Sequence, residues 1–378
     1  MKKLLSILVA AALLTASAYV SGCTSQNETD PPESEPGAAI IHGVNIEAIF
    51  AEFSPETPMI ITGDHTVTWV ELIVFLHGGI DFVVSAYGQV GDWSAPFPEG
   101  GTFADELKRY VIDDALTFRA LDYGSRQLGV TLRDEDIAMI GEYLEGMITH
   151  LGGEDEFRER LWTANGIASI ELFESLISTD YLLNPIMLEL YGENTEKVTD
   201  EMVKGFIEDE QYLMAMHILR MKPEFSEEAL SDDPRGDLEE VLLMLENYEG
   251  ENLESFFSDL MQEHSEDIGG LTSFPQGYLF QSGDMVEEFF TATLSLEIGQ
   301  FSGIIETDFG YHIILRLPLN YDVPPFASAE QGDYRTLRHM AAFELFDSVV
   351  ERWKSDLDPV FTPEFESIDF AALLAQHQ

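Results

Sequence analysis

Two histidines carry the clearest chemical signal in this chain. His217 lies in the short apolar segment Ala215–Leu219, and His312 lies in a second apolar segment, Thr307–Ile314. Short apolar runs with β-branched and aromatic residues are typical of buried strands. The run between them, Gly283–Phe289, has helical spacing and glycine punctuation. An imidazole donates, accepts and relays hydrogen-bonded protons near neutral pH, so two strands and a short helix are expected to position this chemistry.

Three side chains between the histidines could complete such a site. Asp267 stands in a polar stretch, whereas Met285 and Phe289 are four positions apart and would share one face of a short helix. Each residue also has an ordinary structural explanation. Buried histidines often serve only as hydrogen-bonded core residues, the Met–Phe spacing is common core packing, and Asp267 is one of 70 acidic residues. Their joint order along the chain favours a functional site.

The order of these elements resembles the parvulin family of peptidyl-prolyl cis/trans isomerases, and more narrowly the PrsA-type foldase lipoproteins and their SurA-like chaperone relatives. The family pattern is a histidine in the first strand, an acidic or cysteine residue after a serine-rich stretch, a Met-x-x-x-Phe pocket and a closing Gly-x-His. Here these positions are taken by His217, Asp267, Met285 with Phe289, and Gly310-Tyr311-His312. The resemblance runs from about Tyr212 to Leu317, and the segment Pro275–Tyr278 departs from it as an insertion.

The resemblance implies a role for each residue and a reaction without a cofactor or a metal. The catalytic residues would be His217, Asp267 and His312, and the substrate-binding residues would be Leu271, Phe280, Met285, Phe289 and Thr307. A peptide bond resists rotation by about 18–20 kcal/mol because of amide resonance, which the twisted transition state has lost. A dry apolar cup for the proline ring, with polar groups on the carbonyl side, would lower that barrier. Because Asp267 takes the place where some relatives have cysteine, a covalent mechanism is not expected.

The first residues predict export and lipid attachment. Two lysines precede the apolar run Leu4–Leu14, which is too short for a membrane span and is typical of a secretory signal peptide over residues 1–22. Cys23 is the only cysteine and follows Val-Ser-Gly, so it is the predicted lipidation site. Residues 23–44 are then the lipidated N-terminus and a disordered tether. The expected location is the extracytoplasmic face of the bacterial cell membrane, with a lipid anchor.

Charge and missing motifs exclude several functions. Asp and Glu number 70 against 19 Lys and Arg, a formal net charge of −51, so nucleic acid would be repelled. A phosphate-reading isomerase needs a basic cluster beside the first histidine, whereas Arg220, Lys222 and Arg235 stand among many carboxylates. The expected substrates are unphosphorylated Xaa-Pro segments, with basic or neutral clients favoured. The sequence has no zinc-binding, nucleotide-binding or serine-hydrolase motif.

The remaining segments have mostly helical patterns. Predicted helices span 103–128, 133–151, 154–163, 169–191, 200–211 and 334–357. Thr199 is a predicted N-cap, residues 88–101 form an irregular loop, and residues 62–76 could begin as a strand or as a helix.

These patterns, with the resemblance, predict an α+β fold. A mostly helical chaperone domain is expected from residues 45–211 together with the C-terminal segment 321–378. The parvulin domain, residues 212–320, would be inserted between them and would contain a small four-stranded antiparallel-type sheet surrounded by helices. The resemblance implies that the C-terminal helix packs on the N-terminal domain.

The combined prediction is a membrane-anchored foldase that isomerises Xaa-Pro bonds in unfolded or newly exported polypeptides, with a homodimer as one open assembly. The alternative is a holdase chaperone whose parvulin module is inactive. In that case Phe157, Trp162, Phe173 and Leu176 could contact clients, although core packing is the better explanation for each of them singly. An extracellular solute-binding lipoprotein is a third hypothesis. It would need repeated parallel strands, and the long helical stretch 103–211 argues against it.

Overall fold

The computed structural model describes residues 39–63, 65–208, 210–223 and 231–378. The predicted signal peptide, Cys23 and the tether up to residue 38 therefore lie outside the described residues. The predicted end of the tether at residue 44 is wrong. Ala39 and Val44 are buried, and strand Ile40–Ile41 pairs with strand Val44–Asn45, because this apolar stretch can be packed against the core.

The chain divides into two compact units. Among the described residues, the first contains those up to Gly192 and those from Leu345 to Gln378, and the second is Glu193–Glu344. The elements are, in chain order, β1 (Ile40–Ile41), β2 (Val44–Asn45), α1 (Ile46–Phe50), β3 (Pro58–Thr62), β4 (His65–Thr68), α2 (Trp69–Tyr87), α3 (Phe103–Leu128), α4 (Asp134–Leu151), α5 (Glu154–Asn165), α6 (Ile170–Tyr181), α7 (Leu183–Tyr191), α8 (Asp200–Phe206), β5 (Leu213–Met221), α9 (Pro234–Glu246), α10 (Leu253–His264), α11 (Ile268–Thr272), β6 (Tyr278–Phe280), α12 (Glu287–Ser295), β7 (Ile305–Glu306), β8 (Gly310–Leu317), α13 (Phe326–Glu330), α14 (Leu337–Asp356), β9 (Val360–Phe361), α15 (Pro363–Glu366) and α16 (Phe370–Gln376).

Local sequence signals set the ends of the long helix α3, and its predicted bounds are confirmed. The backbone N–H of Asp105 donates to Thr102 Oγ1 at 3.1 Å, and the backbone N–H of Thr102 donates to Asp105 Oδ2 at 2.9 Å. This reciprocal capping box satisfies two donors that the first turn leaves free. Gly129 ends the helix with φ of +68°, a conformation that glycine adopts without a steric penalty.

Helix α2 forms the most apolar part of the first unit. The chain is extended up to Thr68 and helical from Trp69, so the ambiguous segment 62–76 contains both elements. By length and composition α2 could cross a membrane, but 61% of its apolar window is buried inside the protein. Together with the sheet β4-β3-β9, it contributes to one core that α3 to α6 and the C-terminal helices also line. Burial of this extent is typical of a core helix.

Two predicted helices have different bounds in the structure. The predicted helix 169–191 is divided at Leu182 into α6 and α7. Pro185 lies in the first turn of α7, where its missing N–H has no intrahelical partner to lose, whereas inside one continuous helix it would remove a hydrogen bond. The predicted helix 200–211 ends at Phe206, since the chain must become extended before β5, although Thr199 caps it as predicted.

The second unit contains a four-stranded antiparallel sheet in the order β6-β5-β8-β7. Helices α9 and α10 pack against the central strands, and so does α12. The predicted α+β class and its small antiparallel sheet are confirmed.

The second unit extends beyond the predicted segment 212–320 on both sides. The guanidinium of Arg338, in α14, donates to the backbone oxygen of Val198 at 2.6 Å, to Asp200 at 2.8 Å and to Asp322 at 2.6 Å. One cation thus links residues that precede the predicted segment to residues that follow it, which explains why the compact unit is longer.

Candidate active site

The register of the central strands places both histidines on one face of the sheet. In the antiparallel pair β5–β8, Leu219 is opposite His312 and His217 is opposite Ile314. Side chains alternate along a strand, so His217 and Leu219 share a face, and His312 joins them there. The two histidines are therefore diagonal neighbours, close enough for long side chains to meet. Their rings lie nearly parallel at 17°, with centroids 5.2 Å apart.

The two imidazoles are joined in a chain of hydrogen bonds. His217 Nδ1 and His312 Nδ1 are 3.0 Å apart, His217 Nε2 is 2.7 Å from Asp267 Oδ2, and His312 Nε2 is 2.8 Å from Thr307 Oγ1. An ionised carboxylate only accepts, so His217 Nε2 carries a proton. When Nε2 carries the only proton of the His217 ring, its Nδ1 accepts from His312 Nδ1–H, and His312 Nε2 accepts from the Thr307 hydroxyl. The acceptor at one end thus assigns the tautomer of each ring.

Electrostatics support a neutral His312 and an ionised Asp267. Burial, and then the proximity of His217, lower the pKa of His312 to about 3, so this imidazole is neutral at neutral pH. Burial alone would raise the pKa of Asp267. The hydrogen bond and attraction of His217, with the Tyr278 hydroxyl and the Gly270 backbone, outweigh burial and lower that pKa to about 2. Asp267 is therefore an anion that accepts hydrogen bonds from β5, α11 and β6.

Thr307 lies behind His312. It is 4% exposed, and its Oγ1 also accepts from the backbone N–H of Phe309 at 3.2 Å. Lys222 Nζ donates to the backbone oxygen of Thr307 at 2.8 Å and pairs with Glu306 at 2.9 Å, which ties this loop to the end of β5. Predicted as substrate-binding, Thr307 is placed by the structure where it orients an imidazole.

An aromatic wall stands beside the histidines. The ring of Phe289, from α12, meets His217 edge-on at 5.1 Å and His312 at 5.7 Å, and lies 5.7 Å from Phe280. Phe280 and Phe289 are buried, whereas Met285 packs against the same cluster and remains partly exposed. Met285 precedes α12, which begins at Glu287, so the Met–Phe pair does not share one helix face as the spacing suggested.

Leu271 is the one predicted site residue whose side chain has no described contact to this cluster. It lies in α11, where its backbone N–H donates to Asp267 O at 3.0 Å, and its side chain is half-buried. The structure therefore brings together His217, His312, Asp267 and Thr307 with Phe280, Phe289 and Met285, and leaves Leu271 one turn away from the carboxylate.

Sequence patterns did not single out Tyr278 and Ser265 as site residues. Tyr278 Oη donates to Asp267 Oδ2 at 2.7 Å. Ser265 Oγ accepts from the backbone N–H of Asp267 at 3.3 Å and of Leu219 at 3.1 Å, which ties the loop before α11 to β5. Glycines at 269, 270 and 277 surround this corner and were the available sign of close backbone approach.

The opposite face of β5 has different surroundings. A cavity of about 660 Å³ opens there beside Met214 and Met216, next to Asp259 of α10. None of the predicted site residues lines it. Its size alone would make it a candidate binding site. The hydrogen-bonded titratable groups with shifted pKa values, His312 and Asp267, lie on the histidine face, which is therefore the better candidate for an active site. Across the described ranges, no cluster of three or more His, Cys, Asp or Glu side chains could hold a metal ion.

Residues 217–317 match the family profile of the rotamase, the PPIC-type PPIase domain. This segment contains every predicted catalytic and substrate-binding residue. The parvulin-type resemblance predicted from the sequence is confirmed, and the chain carries a peptidyl-prolyl isomerase domain of this type.

Curated relatives are similar over a larger part of the chain. Foldase protein PrsA of Halalkalibacterium halodurans is 30% identical over 182 residues, which are 47% of this chain and 49% of that protein. The chain thus spans about half the length of this relative. Foldase protein PrsA of Clostridium perfringens is 22% identical over 71% of this chain and 77% of its own length. The crystal structure of PrsA from Bacillus subtilis covers 81% of this chain and 93% of its own, with 19% identity and a TM-score of 0.25.

Proposed function

We propose that this chain is an extracytoplasmic, membrane-anchored foldase that catalyses cis/trans isomerisation of Xaa-Pro bonds in exported proteins. The observation that carries the proposal is the hydrogen-bonded row of His217, His312 and Asp267 beside the wall of Phe280 and Phe289. This arrangement supports a reaction that needs an apolar surface for a proline ring and, beside it, oriented polar groups for the carbonyl.

The aromatic wall would receive the prolyl ring. The partly exposed Met285, backed by the buried rings of Phe280 and Phe289, presents apolar and polarisable surface, which a saturated ring can cover while it excludes water. Water stabilises the charge-separated resonance form of the planar amide. Removing it therefore weakens the double-bond character that opposes rotation.

The anion at Asp267 would act on the carbonyl side. In the planar amide the carbonyl oxygen carries partial negative charge, and in the twisted state it carries less. A fixed carboxylate near that oxygen disfavours the planar form more than the twisted form, which lowers the barrier. His217 and Tyr278 keep Asp267 ionised and oriented, and its side chain remains 19% exposed for the substrate to approach.

No covalent step is required. A rate increase of about a thousandfold corresponds to only about 4 kcal/mol, which orientation and a preorganised field can supply. The proton-bearing atoms of His217 and His312 are committed to each other and to Asp267, so these rings position the carboxylate. They do not need to exchange protons with the substrate.

The proposed location and clients rest on sequence features. Cys23, outside the described residues, would carry the lipid after removal of residues 1–22. The net charge of −51 would attract basic segments of unfolded exported chains and raise their association rate at low ionic strength. A homodimer stays a prediction that the oligomeric mass of the purified protein would decide.

Isomerisation of an Xaa-Pro tetrapeptide by the full mature chain tests the proposal. Catalysis well above the buffer rate is expected, with a loss of about 100-fold in kcat/KM for Asp267→Ala. Asp259→Ala is the matched control, because it removes one exposed carboxylate beside the cavity on the other face of the sheet. Equal losses of kcat/KM in the two variants would mean that the loss follows from the change in net charge. A wild-type rate equal to the uncatalysed rate in buffer would refute isomerase activity.

A holdase function without catalysis is the second candidate. Helices of the first unit expose large apolar side chains, namely Ile137 (56%) and Met139 (47%) on α4 and Leu188 (47%) on α7. Such side chains could hold unfolded segments. Suppression of client aggregation that survives Asp267→Ala but falls with Ile137→Ser would assign holding to these helices.

A further inference from the structure

Asp267 has a buried partner outside the histidine pair. Tyr278 Oη donates to Asp267 Oδ2 at 2.7 Å, the same oxygen that His217 Nε2 contacts at the same distance. Tyr278 is 6% exposed. Hydrogen bonds to an ionised group are about twice as strong as those between neutral groups, and they are stronger still where water is excluded. The hydroxyl therefore restrains the carboxylate in addition to the imidazole.

The backbone leaves room for this contact through two glycines. A Cβ built at Gly269 would lie 2.9 Å from Tyr278 Oη, and a Cβ at Gly270 would lie 2.6 Å from Asp267 Oδ2. Both distances are shorter than ordinary contacts, so a side chain at either position would displace the groups. The first turn of α11 thus accommodates the tyrosine and the carboxylate only because it lacks side chains there.

The tyrosine ring is held independently of its hydroxyl. It packs at 4.7 Å from the Phe274 ring and at 5.3 Å from the Phe326 ring of α13. Burial, and then the charge of Asp267, raise the pKa of Tyr278 far above its ordinary value, so the hydroxyl stays a donor across the working pH range. A fixed ring with a permanent donor can orient a carboxylate.

We propose that Tyr278 is a positioning residue of the isomerase site, whose hydroxyl holds the Asp267 carboxylate toward His217 and so keeps the imidazole pair in one arrangement of protons. This inference rests on the proposed isomerase function. Tyr278 acts through Asp267 and does not contact the substrate. Without the hydroxyl, the partly exposed carboxylate can rotate toward solvent, and the His217 Nε2–H loses its fixed acceptor.

Tyr278→Phe in the full chain tests the proposal, because it removes the hydroxyl and keeps the ring. We expect a fall of about tenfold in kcat/KM, carried by kcat with KM nearly unchanged, which corresponds to about 1.4 kcal/mol. The imidazole ¹⁵N shifts of His217 and His312 should move from single-tautomer values toward averaged ones. Tyr334→Phe is the matched control, since Tyr334 is 72% exposed, and it should change neither measurement.

A double-mutant cycle separates positioning from packing. If Tyr278 acts through Asp267, then Tyr278→Phe added to Asp267→Ala should lower kcat/KM no further. A full additional tenfold loss in that background would overturn the proposal, and so would a single variant with unchanged kinetics and unchanged ¹⁵N shifts.

Gly269→Ala provides a second route to the same result. Its Cβ displaces the hydroxyl while every site residue is retained, and alanine favours a helix more than glycine does. The same loss of kcat and the same change in the imidazole ¹⁵N shifts are expected. If Tyr278→Phe does not fold, Gly269→Ala tests the positioning role of Tyr278 in its place. If the wild-type chain has no isomerase activity, the proposed function fails, whereas the ¹⁵N shifts still report whether Tyr278 fixes the imidazoles.

Discussion

The two faces of strand β5 have opposite chemistry. One face carries His217 in a row of polar contacts that ends at Asp267 and, through His312, at Thr307. The other face carries buried Met214 and Met216 beside α10. Because side chains alternate, Met216 and His217 are neighbours in sequence and yet belong to different faces. The difference teaches that neighbouring residues of a single strand can have different tasks, since Met216 packs in the core and His217 joins the hydrogen-bonded row.

His217→Ala should have the largest effect. It leaves Asp267 without its imidazole donor and His312 Nδ1 without an acceptor. A loss of about 100-fold or more in kcat/KM is expected, together with a fall of about 3 kcal/mol in the free energy of unfolding. Tetrapeptide kinetics and urea unfolding of the same preparations measure both quantities. Activity within about threefold of wild type would show that the histidine face is structural only.

Met216→Ala should separate the two faces most clearly. Met216 is 5% exposed, so truncation is expected to lower the free energy of unfolding by about 3 kcal/mol. Urea unfolding followed by amide exchange in β5 measures this cost. Below the unfolding transition, kcat/KM should stay within about twofold of wild type, because no site residue is contacted from that face. A large loss of activity in the folded protein would mean that the faces are coupled through the strand.

Acid should destabilise the histidine face selectively. The pKa of His312 is lowered from 6.5 to about 3 in the folded chain, so the unfolded chain takes up a proton first as the pH falls. This contribution to stability is fully present above pH 6.5 and is lost as the pH falls toward 3, by about 2 kcal/mol between pH 7 and pH 5. Asp267, with its pKa lowered from 3.8 to about 2, adds a further loss only below pH 3.8.

Amide exchange of β8 at pH 7 and pH 5 would measure this loss locally. Local probes are needed because burial also lowers the pKa of His77, in the first unit, to about 4. His312→Gln should remove most of the pH dependence from β8 and leave that of α2 unchanged. Equal pH dependence of β8 in this variant would contradict a buried neutral imidazole.

Met285→Ala should have the smallest of these effects. Met285 is partly exposed at the edge of the aromatic wall, so its loss removes apolar contact with a substrate more than it removes core packing. We expect a fall of about tenfold in kcat/KM and a cost in stability below about 1 kcal/mol, measured by the same assays. Unchanged kcat/KM would mean that the proline ring of the substrate does not bind at this edge of the aromatic wall.

Much of the fold was predictable where local chemistry decides it. Helix α3 ends at the predicted residues because a capping box and a glycine mark both ends. Helix α2 gave no amphipathic pattern, since most of its surface is buried, and periodicity cannot distinguish such a helix from a strand. Pro185 indicated a break in the helix near Leu182. The 3.6-residue spacing of the surrounding apolar residues nevertheless favoured one continuous helix.

The site was predictable as a set of residues and less so as an arrangement. Resemblance identified His217, Asp267 and His312, which the structure brings into one hydrogen-bonded row. The hydroxyl of Tyr278 and the placement of Thr307 behind a ring depend on tertiary geometry that no linear spacing encodes. The roles of these two residues depend on which atoms lie within hydrogen-bonding distance of each other, and only the three-dimensional structure gives those distances.

The diagonal pairing of the two imidazoles has a consequence for how this protein matures. The paired nitrogens come from positions 95 residues apart, so their meeting depends on one of the most distant strand alignments in the second unit. A slip of one residue would turn His312 toward the methionines. A newly made copy consequently forms this histidine pair only after its own sheet has aligned, so the pair is absent during its earliest folding steps.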